Sequence, residues 1–488
     1  MLENNSRRTT HEVNVGGVPL GGNHPVRLQS MTTTDTNDVA GSVAQCLRIA
    51  EAGADYVRLT TQGLREVESL VKIRAELRRQ GCNVPLVADV HFNPAVADAA
   101  AAVCEKVRIN PGNYVDPARK FKHIDYTEAE YAAELQRLDE RFCQLLSICK
   151  QHQTALRIGV NHGSLSDRIM SRYGDTPDGI AESCMEFLRV AVREGFKDIV
   201  CSIKASNTVV MVQSVRLLAA AMQREGMTFP LHLGVTEAGE GEDGRIKSAV
   251  GIGALLCEGI GDTIRVSLSE PPEDEIPVAG LLRDMTPRAR QLAHDVATSI
   301  ENGVATLRFE ESDWPSAQLL AAMAVGGLLI DKRATDLRLF NEAFPEAQLS
   351  DLADRILQAA RVRFTRTEYI SCPGCGRTLY DLPATIARIK AATAHLVGLK
   401  IGIMGCIVNG PGEMADADYG YVGAARGKVS LYRGKECVEK NIPEEEAVQR
   451  LLDLIERDKG AAADQAPLSP PAPLSPKGER GVDTTNVC

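Results

Sequence analysis

The chain has 488 residues, with 65 acidic against 55 basic side chains for a formal charge of −10, and is 44% hydrophobic and 25% charged. This is an ordinary globular mixture, and at roughly 100–200 residues per domain it leaves room for two to four domains. A net-acidic chain with only 4% aromatic residues lacks both the positive field and the stacking platforms of a nucleic-acid binder, so that class is excluded.

Residues 1–10 carry no apolar stretch of the signal-peptide kind. The longest apolar run, 319–330, is far shorter than the roughly 20 residues a bilayer requires, and Asp331, Lys332 and Arg333 close it. A cytoplasmic protein with no membrane association is expected. The thirteen cysteines, an odd number scattered over a long chain, point to reduced thiols or metal ligands rather than a disulfide framework.

Short apolar strands are predicted at 26–30, 56–60, 85–90, 106–110, 155–160, 198–204, 231–237 and 263–268. Amphipathic helices at 39–52, 66–79, 128–153, 179–194 and 209–224 lie between them. Eight such units over about 250 residues predict a (β/α)8 TIM barrel. The rival, an open doubly wound sheet, should open on Gly-x-Gly-x-x-Gly, which does not follow the first strand. Residues 277–350 read as a helix-rich spacer module with strand-like pieces at 305–309 and 334–340. A smaller α/β unit follows over 351–459. Beyond 460 the chain turns to Ala, Pro and Ser, repeating APLSP at 466–470 and 472–476, and a disordered tail over 460–488 is expected. The barrel takes residues 1–276.

Barrel interiors are packed with branched apolar side chains, so an ionisable residue in a strand belongs at the rim. Nearly every predicted strand carries one near its carboxyl end: Arg58, Asp89 with His91 beyond it, Arg108, Arg157 with Asn161 beyond it, Lys204, Glu237 and Arg265. Any one of these charges has about even odds of merely pairing with a neighbour or snorkelling. Five cations converging on the face where barrel active sites form is a different matter, and it suits a phosphorylated or diphosphorylated metabolite.

The run Cys372-Pro373-Gly374-Cys375 is followed after thirty residues by Cys406, in the Gly/Pro-rich stretch 405–413 that ends in Glu413. An isolated C-x2-C suits a zinc half-site, a redox dithiol or an iron–sulfur pair. A zinc knuckle needs a fourth ligand, for which Cys437 and His395 are unpaired candidates. Glycines beside a cysteine let backbone N–H groups reach inorganic sulfide, and three thiolates leave one iron of a [4Fe–4S] cube to a weaker ligand such as Glu413. The other cysteines read as small core residues.

The segments 29–35 (QSMTTTD), 87–92 (VADVHF), 107–112 (VRINPG), 157–164 (RIGVNHGS), 204–206 (KAS), 233–239 (LGVTEAG), 259–267 (GIGDTIRVS), 372–375 (CPGC) and 405–413 (GCIVNGPGE) together resemble the 4-hydroxy-3-methylbut-2-enyl diphosphate synthase family. Its members are iron–sulfur reductases of the non-mevalonate isoprenoid pathway. The resemblance implies a TIM barrel and a reductase-like α/β domain closing around a cyclic diphosphate. It implies a [4Fe–4S] cluster on Cys372, Cys375, Cys406 and Glu413. It also implies that Arg58, Asp89, His91, Arg108, Arg157, Asn161, Lys204, Arg265 and Ser267 surround the substrate, with Asn409 approaching from the cluster side. Glu237 would be the acid/base and Glu413 the displaceable ligand. A ferredoxin or flavodoxin donor and a homodimer are implied as well.

Residues 277–350 resemble a shortened version of the extra domain found in long forms, and the run Asn161-His162-Gly163 also resembles those long forms. This leaves open whether the cluster domain closes on its own barrel or on a partner subunit's. His162 itself reads as a ligand contact or as a loop-packing residue. Two rivals remain at this stage. One is a phosphosugar aldolase or isomerase barrel with a zinc module. The other is an iron–sulfur sensor or electron carrier.

Overall fold

A computed structural model describes residues 7–115, 125–407, 410–414 and 416–464. The chain opens with an antiparallel hairpin, β1 (Val13–Val15) and β2 (Val18–Leu20). Gly16 and Gly17 turn it at φ 59° and 87°, left-handed values that glycine adopts without penalty and that match a two-residue hairpin turn. Strands this short lack a readable period, and the sequence pattern gave no sign of them.

Eight parallel strands follow: β3 (Arg27–Met31), β4 (Tyr56–Thr61), β5 (Leu86–Val90), β6 (Lys106–Ile109), β7 (Ala155–Asn161), β8 (Ile199–Lys204), β9 (His232–Leu233) and β10 (Thr263–Ile264). The sheet runs β8-β7-β6-β5-β4-β3-β10-β9, and a bridge from Cys201 to Leu231 joins its two ends into a barrel. Helices separate the strands, and most begin on a side-chain cap. Asp38 accepts from Gly41 N–H, Asn207 from Val209 and Val210, and Thr127 forms a capping box with Glu130.

β9 and β10 are shorter than the predicted 231–237 and 263–268. Just past β9 the backbone runs so close to Lys204 that a Cβ on Gly234 would stand 2.6 Å from its Nζ. The hairpin closes the opposite end of the barrel, where Val13, Val15 and Leu20 pack on Tyr56, Val87, Ala155 and Val200.

The segment expected as a spacer forms a helix (Glu275–Thr298), β11 (Val304–Arg308), a helix (Trp314–Ile330), β12 (Asp336–Phe340) and a helix (Glu346–Ala359), with β11 and β12 parallel. It is packed as a flank of the barrel rather than as a detached module. One apolar cluster runs from Leu28 through Ala360. The apolar helix Trp314–Ile330 reaches the barrel helix Gly241–Cys257 through glycines: a Cβ on Gly326 would meet the Val250 carbonyl at 2.9 Å, and one on Gly253 would meet Met323 at 2.5 Å.

The C-terminal unit has its own core, from Leu382 to Ile455. Its sheet runs in the order β13 (Glu368–Ser371), β14 (Lys400–Met404), β15 (Tyr419–Ala425), β16 (Lys428–Arg433), β17 (Glu436–Pro443). The first three strands are parallel and the last three antiparallel. The final helix continues to Asp464, past the Gly460 at which the composition changes; the rest of the expected tail lies outside the described residues. No helix among the described residues is long and apolar enough to cross a membrane.

Candidate active site

Successive side chains of a strand alternate between faces. In β4 to β8 the apolar set Val57, Leu59, Leu86, Ala88, Val107, Ile109, Leu156 and Ile158 faces the helices. The alternate positions face inward, and they carry the charges. Arg58, Asp89, His91, Arg108, Asn161, Lys204, Glu237, Arg265 and Ser267 line one cavity of ≈ 90 Å³ at the carboxyl mouth. The same cavity is lined by Cys372, Cys375, Arg377 and Cys406. The C-terminal domain therefore closes on the barrel of its own chain.

The cations are braced against one another by a few acids. Arg108 donates to Asp89 (2.8 Å), to His91 Nε2 (2.5 Å), to the Gly159 carbonyl (2.9 Å) and to Asn161 Oδ1 (3.0 Å). Burial opposes charge on Asp89, but Arg58 and Arg108 outweigh it and hold that carboxyl well below its ordinary range. Burial, reinforced by Arg108, lowers His91 to about 3, so the ring is neutral. Arg265 is held by Glu275 through two 3.0 Å contacts, and Ser30 also donates to Glu275 at 2.7 Å. Burial and the neighbouring Arg265 and Arg58 push Lys204 well below its usual value.

Arg157 departs from expectation. It faces inward but does not line the cavity, because Arg108 lies across Gly159, one inward position above it: a Cβ on Gly159 would stand 2.6 Å from Arg108 Nε. Arg157 is 1% exposed, with Nε and Nη1 unpartnered. Lys106 faces inward two residues before Arg108, its ammonium 4.1 Å above the Tyr56 ring and without a hydrogen bond. The K-V-R alternation in β6 carries that signal, one inward position below the strand end. Glu275 and Arg377 were missed too; Arg377 stands two residues after a candidate ligand, Cys375, in the same loop.

On the other wall, Gly405 N–H donates to Cys372 Sγ at 3.2 Å. Burial pushes that thiol up to about 12, so a thiolate there needs a bound cation. Glu413, on the short helix Gly410–Glu413, is 3% exposed; neither carboxylate oxygen has a hydrogen-bond partner, nor has Oε2 of Glu237. Burial and the charge of the facing Glu237 raise Glu413 well above its ordinary value, and burial raises Glu237 as well. Glu237 sits at φ 48°, a left-handed value that marks strain at a functional position.

Three thiols on one wall, with the buried carboxyl of Glu413 facing Glu237 but not itself lining the cavity, suit an iron–sulfur cube, in which each ligand holds a different iron. A zinc knuckle would need its ligands on one ion, and among the described residues no three His, Cys, Asp or Glu side chains converge that way. Asn409 lies outside the described residues.

Several contacts hold the domains together. Ser206 donates to the Glu413 carbonyl (2.9 Å), Ser269 to the Cys372 carbonyl (2.9 Å) and Asn207 to Asp416 (2.8 Å). Lys247 pairs with Glu368 at 3.0 Å in a buried contact that Arg361 joins at 3.1 Å. His162 pairs with Asp175 at 2.7 Å, and Lys435 of the C-terminal domain lies 3.3 Å from the same carboxylate; it is a loop and closure residue, outside the cavity. At ≈ 90 Å³ the cavity is well under the ~300 Å³ at which ligand sites begin. A larger open groove, ≈ 1260 Å³ beside β11 and β12, contains none of these groups.

Both parts of the chain have counterparts among known proteins. Residues 10–280 match the GcpE TIM-barrel domain and residues 368–457 the GcpE protein C-terminal domain. Two similar relatives, from Bacteroides thetaiotaomicron and Bacteroides fragilis, are 49% and 48% identical. The matches cover 94% and 96% of this chain and 99% of each relative. A third, from Akkermansia muciniphila, is 42% identical over 92% of this chain and 96% of its own. Each is named 4-hydroxy-3-methylbut-2-en-1-yl diphosphate synthase (flavodoxin). The first of these alignments spans 606 positions against 488 residues here, so the relatives carry a long stretch that this chain lacks. With matching blocks in both domains and identity sustained along nearly the whole length, the chain belongs to the 4-hydroxy-3-methylbut-2-en-1-yl diphosphate synthase family.

Proposed function

We propose that the shared cavity is where this chain reductively opens 2-C-methyl-D-erythritol 2,4-cyclodiphosphate to (E)-4-hydroxy-3-methylbut-2-enyl diphosphate. Two electrons and two protons are taken up and one water leaves. Arg58, Arg108, Lys204 and Arg265 bind the diphosphate, and Arg157 supports them from beneath with its charge. Asn161, His91 and Ser267 orient the oxygens, while Asp89 holds the fork of Arg108. Glu237 keeps a proton at its carboxyl in this dry site and delivers it to the reacting carbon–oxygen unit.

Cys372, Cys375, Cys406 and Glu413 are the residues that would hold a [4Fe–4S] cluster, which supplies electron transfer and a Lewis-acidic iron when bound. Asn409, in the sequence stretch 405–413, is assigned to the cluster side of the substrate. A flavodoxin, named for the relatives, is the donor assigned here, with a ferredoxin as the other candidate.

The observation that carries this reading is the single cavity lined by barrel cations on one side and three cysteines on the other. Anaerobic reconstitution followed by iron, sulfide and zinc assays tests it. Iron and sulfide with a broad visible absorption that changes on adding the cyclodiphosphate are expected. A colourless protein with stoichiometric zinc, or a spectrum indifferent to the metabolite, overturns it. Cys406→Ser should abolish iron retention and turnover while leaving the circular dichroism of the barrel unchanged.

A further inference from the structure

Of the guanidinium groups lining the cavity, those of Arg58, Arg108 and Arg265 come from the barrel and that of Arg377 from the C-terminal domain. The Arg377 side chain is 9% exposed. Its Nη2 lies 3.6 Å from Asp89 Oδ2 across the domain boundary, beyond normal hydrogen-bond length. Asp89 already accepts from Arg108 at 2.8 Å. Arg377 Nη1 is buried and has no partner. Burial opposes charge on this guanidinium and the neighbouring Cys375 and Asp89 favour it, but its unsatisfied Nη1 end, inside a chamber of other cations, keeps donor capacity for an anion. The only side chain that approaches it from the barrel at ion-pair range among the described contacts is the carboxylate of Asp89.

We propose that Arg377 is the C-terminal domain's own ligand for the substrate diphosphate, reaching its phosphate oxygens only when the two domains are closed. Asp89 keeps the fork in place until the diphosphate takes it over. Since Arg377 shares a loop with Cys372 and Cys375, the diphosphate bridges the barrel to the segment that carries these thiols, and substrate binding draws the domains together. This inference rests on the reading of the cavity as a diphosphate site.

The test uses the full chain, iron-loaded and oxidised, with no reductant present so that no turnover occurs. Affinity for the cyclodiphosphate and for inorganic diphosphate is measured by calorimetry, and compaction by small-angle scattering. Losing one charge-assisted contact should weaken both ligands by about tenfold or more in Arg377→Met, with the iron content of the parent and no ligand-induced compaction. Arg377→Lys should recover part of the affinity. If Arg377→Met binds both ligands as the parent does, the inference falls while the diphosphate site stands. If the parent binds neither ligand, the site reading itself falls. If Arg377→Met and Arg377→Lys both bind the diphosphate as the parent does but release iron, Arg377 is a cluster-loop residue only and the proposal is overturned.

Discussion

Charge is concentrated in this barrel where most barrels are apolar, and individual residues bear the consequences. Asp89 and Glu275 are the acids that brace Arg108 and Arg265, while Arg157 and Lys106 are left without hydrogen-bonded counter-ions. The facing carboxyls of Glu237 and Glu413 cannot both ionise cheaply in so dry a place, which keeps a proton available. Glu237→Gln should therefore retain iron and substrate affinity yet lose about 10²-fold or more in turnover; rapid-mix measurements with a chemical reductant check this, and parental turnover would strip Glu237 of its role. His91 supplies a pH test. Folded, it refuses a proton down to about 3, whereas in the unfolded chain it takes one near about 6.5. Its contribution to stability is thus complete above about 6.5 and is lost as pH falls toward about 3, and buried His232, also shifted down by burial and by Arg157, acts in the same direction. Urea denaturation at neutral and mildly acid pH should show the parent weakening on acidification and His91→Gln weakening less.

At the scale of elements, three devices place the site. The hairpin β1–β2 seals the bottom of the barrel with valines and a leucine, so ligands reach the interior only from the carboxyl end. The early exits of β9 and β10 from the sheet set Glu237, Arg265 and Ser267 on the rim rather than in the ladder. The flank built from β11, β12 and their helices is fastened through the glycine contacts between Trp314–Ile330 and Gly241–Cys257, where the backbones lie too close for side chains. Gly326→Val should overpack that contact and cost about 1–3 kcal/mol of stability, read by chemical denaturation, with substrate affinity retained because the cavity is remote. A loss of affinity equal to that of a cavity variant would mean that the flank shapes the mouth.

For the whole molecule the contact between the two domains is what joins the two walls of the cavity. Gly163, just after β7, meets Gly412, just before Glu413, backbone to backbone: a Cβ on Gly163 would stand 2.1 Å from the Gly412 carbonyl carbon. Gly163→Ala should hold the domains apart, keeping iron while turnover falls by about tenfold or more, the scale on which a misplacement near 1 Å is felt. Scattering should report a larger radius with substrate bound than in the parent. If closure and turnover survive, the two loops must slide past one another more freely than their packing indicates.

Much of this was legible from the chain alone, for identifiable reasons. Strand–helix alternation dictates a barrel, and a charge near most strand ends is readable because period-two alternation assigns it a face; the cysteines announced themselves by spacing and by the glycines around them. Other features depend on distant segments meeting. Arg157 became enclosed because Arg108 folds over Gly159, and Lys106 came to lie against the Tyr56 ring. Glu275 became a counter-ion only when its helix came to lie beside β3 and β10. Arg377 entered the cavity when the second domain docked. Sequence by itself therefore determined the barrel, the chemistry of its mouth and the set of thiols. Only the tertiary structure decided which charges reach the cavity and that both walls come from one chain, because burial and pairing depend on neighbours remote in sequence, whereas periodicity and spacing are local.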